Sequence, residues 1–94
     1  MAIFQILLTQ KSYEIKVHKS VKKFLNEIQR DDRERLRRLI LALENPAEVP
    51  HVKIKGETGV YRARVGKYRI LYSIFDEEKL ILVLKVDKRG RAYR

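Results

Sequence analysis

Hydrophobic positions recur at helical spacing in the first half of the chain and at every second residue in the second half, and the change falls at Pro46 and Pro50. Val21, Phe24, Leu25 and Ile28 line one face of a helix, with Ser20 as its expected N-cap, and Leu36, Leu39, Ile40 and Leu43 line a second. Asp31 followed by Glu34 has the form of a capping box for the second helix, and Asn45-Pro46 ends it. A helical hairpin with a basic outer face is predicted. Beyond the prolines, Tyr61, Ala63 and Val65 alternate with Arg62 and Arg64, and Tyr68, Ile70, Tyr72 and Ile74 alternate along the next segment. Gly66-Lys67 supplies a tight turn between them and Asp76-Glu77-Glu78 the next turn. Leu80 to Leu84 is the unbroken apolar run expected of a strand covered on both faces. Upstream, Tyr13, Ile15 and Val17 alternate with Glu14 and Lys16 and close the sheet ahead of the helices. The predicted fold is α+β in two layers, a helical hairpin packed on an antiparallel sheet, in the order β-α-α-β-β-β. Within residues 1–12, positions 3–8 read equally as an extra edge strand or as an arm.

Length and composition narrow the class. With 94 residues, 45% of them hydrophobic, the chain fits a single domain over 1–94. Its 22 Lys and Arg against 12 Asp and Glu leave +10, an excess that suits a polyanion, with nucleic acid the leading partner. No run approaches the roughly 20 apolar residues of a spanning helix, so no membrane is expected. The opening MAIFQILLTQ lacks a basic n-region and a cleavage site, and cysteine is absent, which together read as cytoplasmic.

Candidate chemistry is limited by what is present. A metal site is not expected from His18 and His51 alone; the first reads as a residue flanking the first strand and the second as a loop residue after Pro50, both on the surface. Asp76, Glu77 and Glu78 are adjacent in a turn and do not converge as ligands must. No phosphate-cradling glycine loop or nucleophile elbow occurs, and no cofactor is expected. Arg62, Arg64 and Arg69 fall in two adjacent strands, and Lys88, Arg89 and Arg91 follow the apolar strand, ending at Tyr93. From residue 51 onward there are 12 Lys and Arg against 5 Asp and Glu, so +7 of the +10 belongs to the sheet half. Alternating arginines also solvate open sheet faces, but a guanidinium fork matches phosphate better than solubility requires. Charge by itself supports a phosphate-binding surface.

The segments VKIKG, YRARVGKYRILYSI and LVLKVDKRGRAYR resemble the RelE branch of the RelE/ParE toxin superfamily over roughly residues 13–94, and the terminal KRGRAY is similar to archaeal RelE-like members. The resemblance implies a toxin of a type II toxin–antitoxin system, a ribosome-dependent endoribonuclease that cuts messenger RNA in the decoding site without a metal. It implies catalytic roles for Arg62, Arg64, Arg69, Arg89 and Tyr93, with Lys53, Lys55, Lys67, Lys88 and Arg91 as contacts to RNA or ribosome. Bacterial relatives carry lysines at the first two positions, and arginine does not give up its proton in a protein, so a general base at Arg64 is not expected. The implied partners are the ribosome and its message, and a RelB-like antitoxin forming a heterotetramer with the toxin and covering the basic sheet face. Two alternatives stand beside this: a ParE-like inhibitor of DNA gyrase on the same fold, and an RNA-binding module without catalysis.

Overall fold

The computed structural model describes residues 12–54, 56 and 58–88; positions 3–8, read as an edge strand or arm, lie outside them. Strand β1 (Glu14–Val17) leads into helices α1 (Lys19–Glu27) and α2 (Arg30–Ala42), a 3-10 turn at Pro46–Glu48, and strands β2 (Val52–Lys53), β3 (Val60–Val65), β4 (Tyr68–Phe75) and β5 (Leu80–Lys88). The helices pack on one face of a five-stranded sheet in the order β1-β5-β4-β3-β2. The expected order of elements stands, with β2 as a two-residue addition.

Helix α1 starts two residues earlier than the sequence suggests. His18, not Ser20, is its N-cap: the imidazole Nδ1 accepts from the Ser20 backbone N–H at 3.1 Å and lies 2.8 Å from the Ser20 hydroxyl. A ring nitrogen placed in this way satisfies one of the free donors of the first turn. At the other end, Arg33 reaches back from α2 and donates to the carbonyls of Leu25 (2.8 Å) and Ile28 (3.1 Å), closing the hairpin between the helices. The expected capping box is not formed. Gln29 is the N-cap of α2 without a side-chain bond, and Asp31 and Asp32 lie inside the first turn, where their charge complements the helix dipole. Glu34 instead pairs with Arg37 at 3.2 Å on the surface.

Val21, Leu36, Ile40 and Leu43 from the helical layer meet Ala63, Ile70, Tyr72, Ile81, Val83 and Val86 from the sheet. The β3–β4 hairpin forms as expected, and Gly66 supplies the positive φ (55°) at the first of its two turn positions. Strands β3, β4 and β5 are antiparallel, whereas β1 pairs with β5 in parallel, Glu14 opposite Leu80 and Val17 opposite Val83, so the sheet is mixed. Alternation does not encode strand direction, and the long helical crossover permits the parallel arrangement.

Two layers cover only one face of the sheet. Along β5, Ile81 and Val83 are fully buried, while Leu80, Leu82 and Leu84 are only half-buried, which corrects the expectation of a strand enclosed on both sides. The β4–β5 register slips once: Tyr72 faces Val83, whereas Leu71 faces Lys85, leaving Leu84 as the extra residue of a bulge. Past it the phase of β5 reverses. Val86 turns to the core, and Lys85 and Asp87 share the open face with Leu71 and Arg69.

Candidate nucleic-acid interface

Residues opposite one another in a sheet share a face, so the register defines what the open face carries. Arg64 stands opposite Arg69, and Arg69 opposite Asp87; one row along, Arg62 stands opposite Leu71, and Leu71 opposite Lys85. Arg62, Arg64 and Arg69 are therefore brought together on one surface. Arg69 is engaged there: Nε donates to Asp87 Oδ1 at 3.2 Å and Nη2 to Oδ2 at 3.4 Å, a fork-to-carboxylate geometry. Lys85 Nζ approaches the same carboxylate at 3.7 Å. Two arginines directly opposite repel, and Asp87 offsets that repulsion by neutralising one of them.

Arg64 is exposed. Arg62 is half-buried, and its Nε has no hydrogen-bond partner among the described residues although solvent does not reach it. A buried guanidinium donor without an acceptor is costly, and an anionic oxygen is the group that would satisfy it.

The expected lysine contacts divide differently. Lys53 is paired with Tyr61 and Lys88 with Tyr68, so both register on the helix side of the sheet, and both are exposed. Lys67 lies in the β3–β4 turn, with Nζ 3.6 Å from Asp32 on α2 and 5.8 Å from the centre of the Tyr68 ring. It therefore tethers the hairpin to the helices. Tyr68 donates its hydroxyl to Asp32 at 2.8 Å, and that bond, with Lys67 close by, holds the Asp32 carboxyl below its ordinary range against partial burial. Lys55, Arg89, Arg91 and Tyr93 lie outside the described residues.

Beside the arginines, the short β2 pairing ends and the chain diverges from the edge of β3, opening a cleft of about 390 Å³ lined by Pro50, His51, Val52, Arg62, Ala63 and Arg64. The His51 ring sits edge-on to Tyr61 (centroids 5.1 Å apart) and to Tyr72 (6.4 Å), which are themselves stacked at 6.1 Å. Burial, reinforced by Tyr61, pushes the Tyr72 hydroxyl up to about 12. Its oxygen has no partner among the described residues. Sequence reasoning reads His51 as a surface loop residue, as it is, and does not single out Asp87. A lone loop histidine carries no pattern, and Asp87 becomes the partner of Arg69 only through the bulged register. Among the described residues no group of His, Cys, Asp or Glu gathers to hold a metal ion, and no helix is long and apolar enough to cross a membrane.

Comparison with known proteins supplies what geometry does not. Residues 15–93 match the family model described as ParE toxin of type II toxin-antitoxin system, parDE. The chain is 30% identical over 86 residues to the RelE1 protein of Methanocaldococcus jannaschii, covering 87% of this chain and 96% of that one. Among solved structures it resembles the archaeal RelE–RelB complex from Pyrococcus horikoshii, with TM-score 0.72 and 34% identity over 85% of this chain and 98% of the other. The RelB–RelE complex from Methanococcus jannaschii is similar at TM-score 0.67 and 27% identity, over 83% and 94% of the two chains.

Proposed function

The chain belongs to the RelE/ParE family of type II toxin–antitoxin toxins as a RelE-like member, and from that premise we propose that it cleaves messenger RNA in the ribosomal decoding site. The observation that carries this reading is the arginine group on the open sheet face, with Arg64 exposed and Arg62 Nε awaiting an acceptor. Such a face binds a phosphodiester through paired donors. In the proposed reaction the RNA 2′-oxygen attacks the adjacent phosphorus, giving a cyclic phosphate and a 5′-hydroxyl, so the substrate supplies its own nucleophile. Arg64, Arg69 and Arg89 stabilise charge developing on the phosphate oxygens, and Tyr93 orients or stacks on a base. Arg62 holds the phosphate from the neighbouring row. Lys53, Lys55, Lys67, Lys88 and Arg91 extend the contact to ribosomal RNA. Positioning by the ribosome contributes the orientation that a site without metal or cofactor does not itself impose.

The solved relatives are complexes of RelE with RelB, which supports a RelB-like antitoxin as the partner of this chain, in a heterotetramer that places acidic segments on the basic face. The family model is that of ParE, and this favours gyrase inhibition as the second reading.

Primer extension on a defined message in a cell-free translation reaction tests the first reading, using the wild type and the Arg64→Ala and Arg89→Ala variants. Stops in the decoding site are expected with the wild type, reduced about 100- to 1000-fold by loss of either preorganised donor. An intact message together with blocked supercoiling by gyrase would move the second reading to the front.

A further inference from the structure

We infer that the cleft beside β3 is a nucleobase pocket, in which the base adjoining the phosphate on Arg62 and Arg64 is read by the backbone N–H and C=O of Arg64; the inference rests on the proposed RNA-cleaving reading. Along a strand, the backbone groups of successive residues point to opposite neighbours. Val65 and Tyr68 close the two-residue turn at Gly66-Lys67 as a bonded pair, which sets Ala63, Tyr61 and Gly59 toward β4 as well, and Gly59 accepts from the Ile74 N–H at 3.2 Å. Val60, Arg62 and Arg64 therefore turn their N–H and C=O to the other side, toward β2. Ile54 donates to the Val60 carbonyl at 2.9 Å, and Val52 stands opposite Arg62. Pro50 comes next, level with Arg64, but it has no N–H to give and the pairing stops before it. The backbone N–H and C=O of Arg64 are thus left without a partner among the described residues.

The divergence of the two chains is pinned in place. Val49, next to Pro50, is buried in the core, its N–H donates to the Pro46 carbonyl at 3.2 Å, and its own carbonyl lies 2.7 Å from His51 Nδ1. The space held open is about 390 Å³, within the range of small-ligand sites.

Three properties of this space select a nucleobase. Pro50, Val52 and Ala63 give it apolar walls, which suit a flat ring. A donor and an acceptor side by side on Arg64 complement a base edge, where a ring nitrogen and an exocyclic group present the opposite pair. Arg62, whose buried Nε lacks a partner among the described residues, and the exposed Arg64 line the same cleft and supply cations for the attached phosphate. A peptide strand is a poor occupant, because strand addition uses a run of open edge groups. Here the run is one residue long, since Val65 bonds toward β4 and Pro50 stands in the path. Cleavage then depends on a base beside the bound phosphate as well as on the phosphate itself.

Nuclear magnetic resonance of isotope-labelled protein, titrated with AMP, GMP, CMP and UMP and with ribose 5-phosphate as the ligand without a base, tests the assignment. At least one nucleotide should shift the Arg64 backbone N–H and bind about tenfold more tightly than ribose 5-phosphate, which should leave that N–H in place. In the Pro50→Val variant the missing N–H returns and β2 can extend to pair with Arg64, so the preference for the nucleotide should shrink to less than about twofold while the thermal midpoint stays at or above that of wild type. Equal affinity for ribose 5-phosphate and all four nucleotides in the wild type overturns the pocket. So does an Arg64 N–H that responds to an extended peptide and to no nucleotide, which would assign the edge to strand addition. A message cut on the ribosome by a protein with no preference for a base overturns the pocket and leaves the nuclease standing; an intact message with the preference present does the reverse.

Discussion

Arg69 is held by Asp87 through two parallel hydrogen bonds across β4 and β5, while on its other side it faces Arg64 directly. The arginine expected to meet phosphate is thus already bound to a carboxylate, and RNA must compete with that carboxylate for it. Asp87→Asn should therefore tighten binding to single-stranded RNA and steepen the dependence of log K on log salt by about 0.7, one more phosphate contact's worth. Stability should fall by no more than about 1 kcal/mol, since both side chains are partly exposed. Fluorescence anisotropy at several salt concentrations measures both quantities; an unchanged slope would mean that Arg69 does not meet phosphate.

The bulge at Leu84 determines which side of the sheet Lys85 and Asp87 occupy. Deleting Leu84 removes the extra residue and restores strict alternation, leaving Val83 opposite Tyr72 and Lys85 opposite Leu71, so both charges keep the open face. The deletion variant should therefore fold, as should Leu84→Val; loss of the folded circular dichroism signal in the deletion variant alone would mean that the bulge itself is required.

Arg33 is a separate test of the helical layer. Arg33→Ala removes two charge-assisted hydrogen bonds to the carbonyls of Leu25 and Ile28. A loss of about 2 kcal/mol is expected, which for a domain of this size lowers the thermal midpoint by roughly 8–16 °C. Calorimetry on the variant, with Arg33→Lys as an intermediate case, checks it.

Acid and alkali should act on different residues. The Asp32 carboxyl is lowered first by the Tyr68 hydroxyl and also by Lys67, so its contribution is present above the ordinary aspartate range and is lost as pH falls through the folded value. Tyr68→Phe should therefore reduce the slope of stability against pH on the acid side. Burial raises Tyr72 to about 12, so its contribution is complete below about pH 10 and is lost as pH rises toward 12. Tyr72→Phe should remove up to about 2–3 kcal/mol of alkaline destabilisation and, because the hydroxyl has no partner among the described residues, cost little at neutral pH. Denaturant midpoints across pH measure both limbs.

Much of the fold was legible because the helical faces and the β3–β4 hairpin are periodic over many residues. The gathering of Arg62, Arg64 and Arg69 followed from that hairpin, since a two-residue turn fixes which positions face each other. Elsewhere the signal was degenerate. Alternation in Tyr13 to Val17 is the same for parallel and antiparallel pairing, and two residues of β2 are too few to show a period. In Leu80 to Leu84 every position is apolar, so the phase reversal at Leu84 is invisible until Val86 proves buried. His18 displaced Ser20 as a cap because an imidazole nitrogen can accept like a hydroxyl, an uncommon choice that propensity does not anticipate. The pairing of Asp87 and the placing of His51 depend on register and on the divergence beside β2, neither of which is local in sequence.

The parallel pairing of β1 with β5 also bears on how the chain is made. Because Glu14 finds its strand partner only at Leu80, 66 positions later, the sheet stays open along β1 until β5 has emerged during synthesis. The strand that joins β1 to β4 is also the last of the described strands to arrive. A nascent fragment stopped before β5 has neither a closed core nor the Asp87 side of the arginine face, so assembly of the sheet itself delays the appearance of an active molecule until β5 has been made.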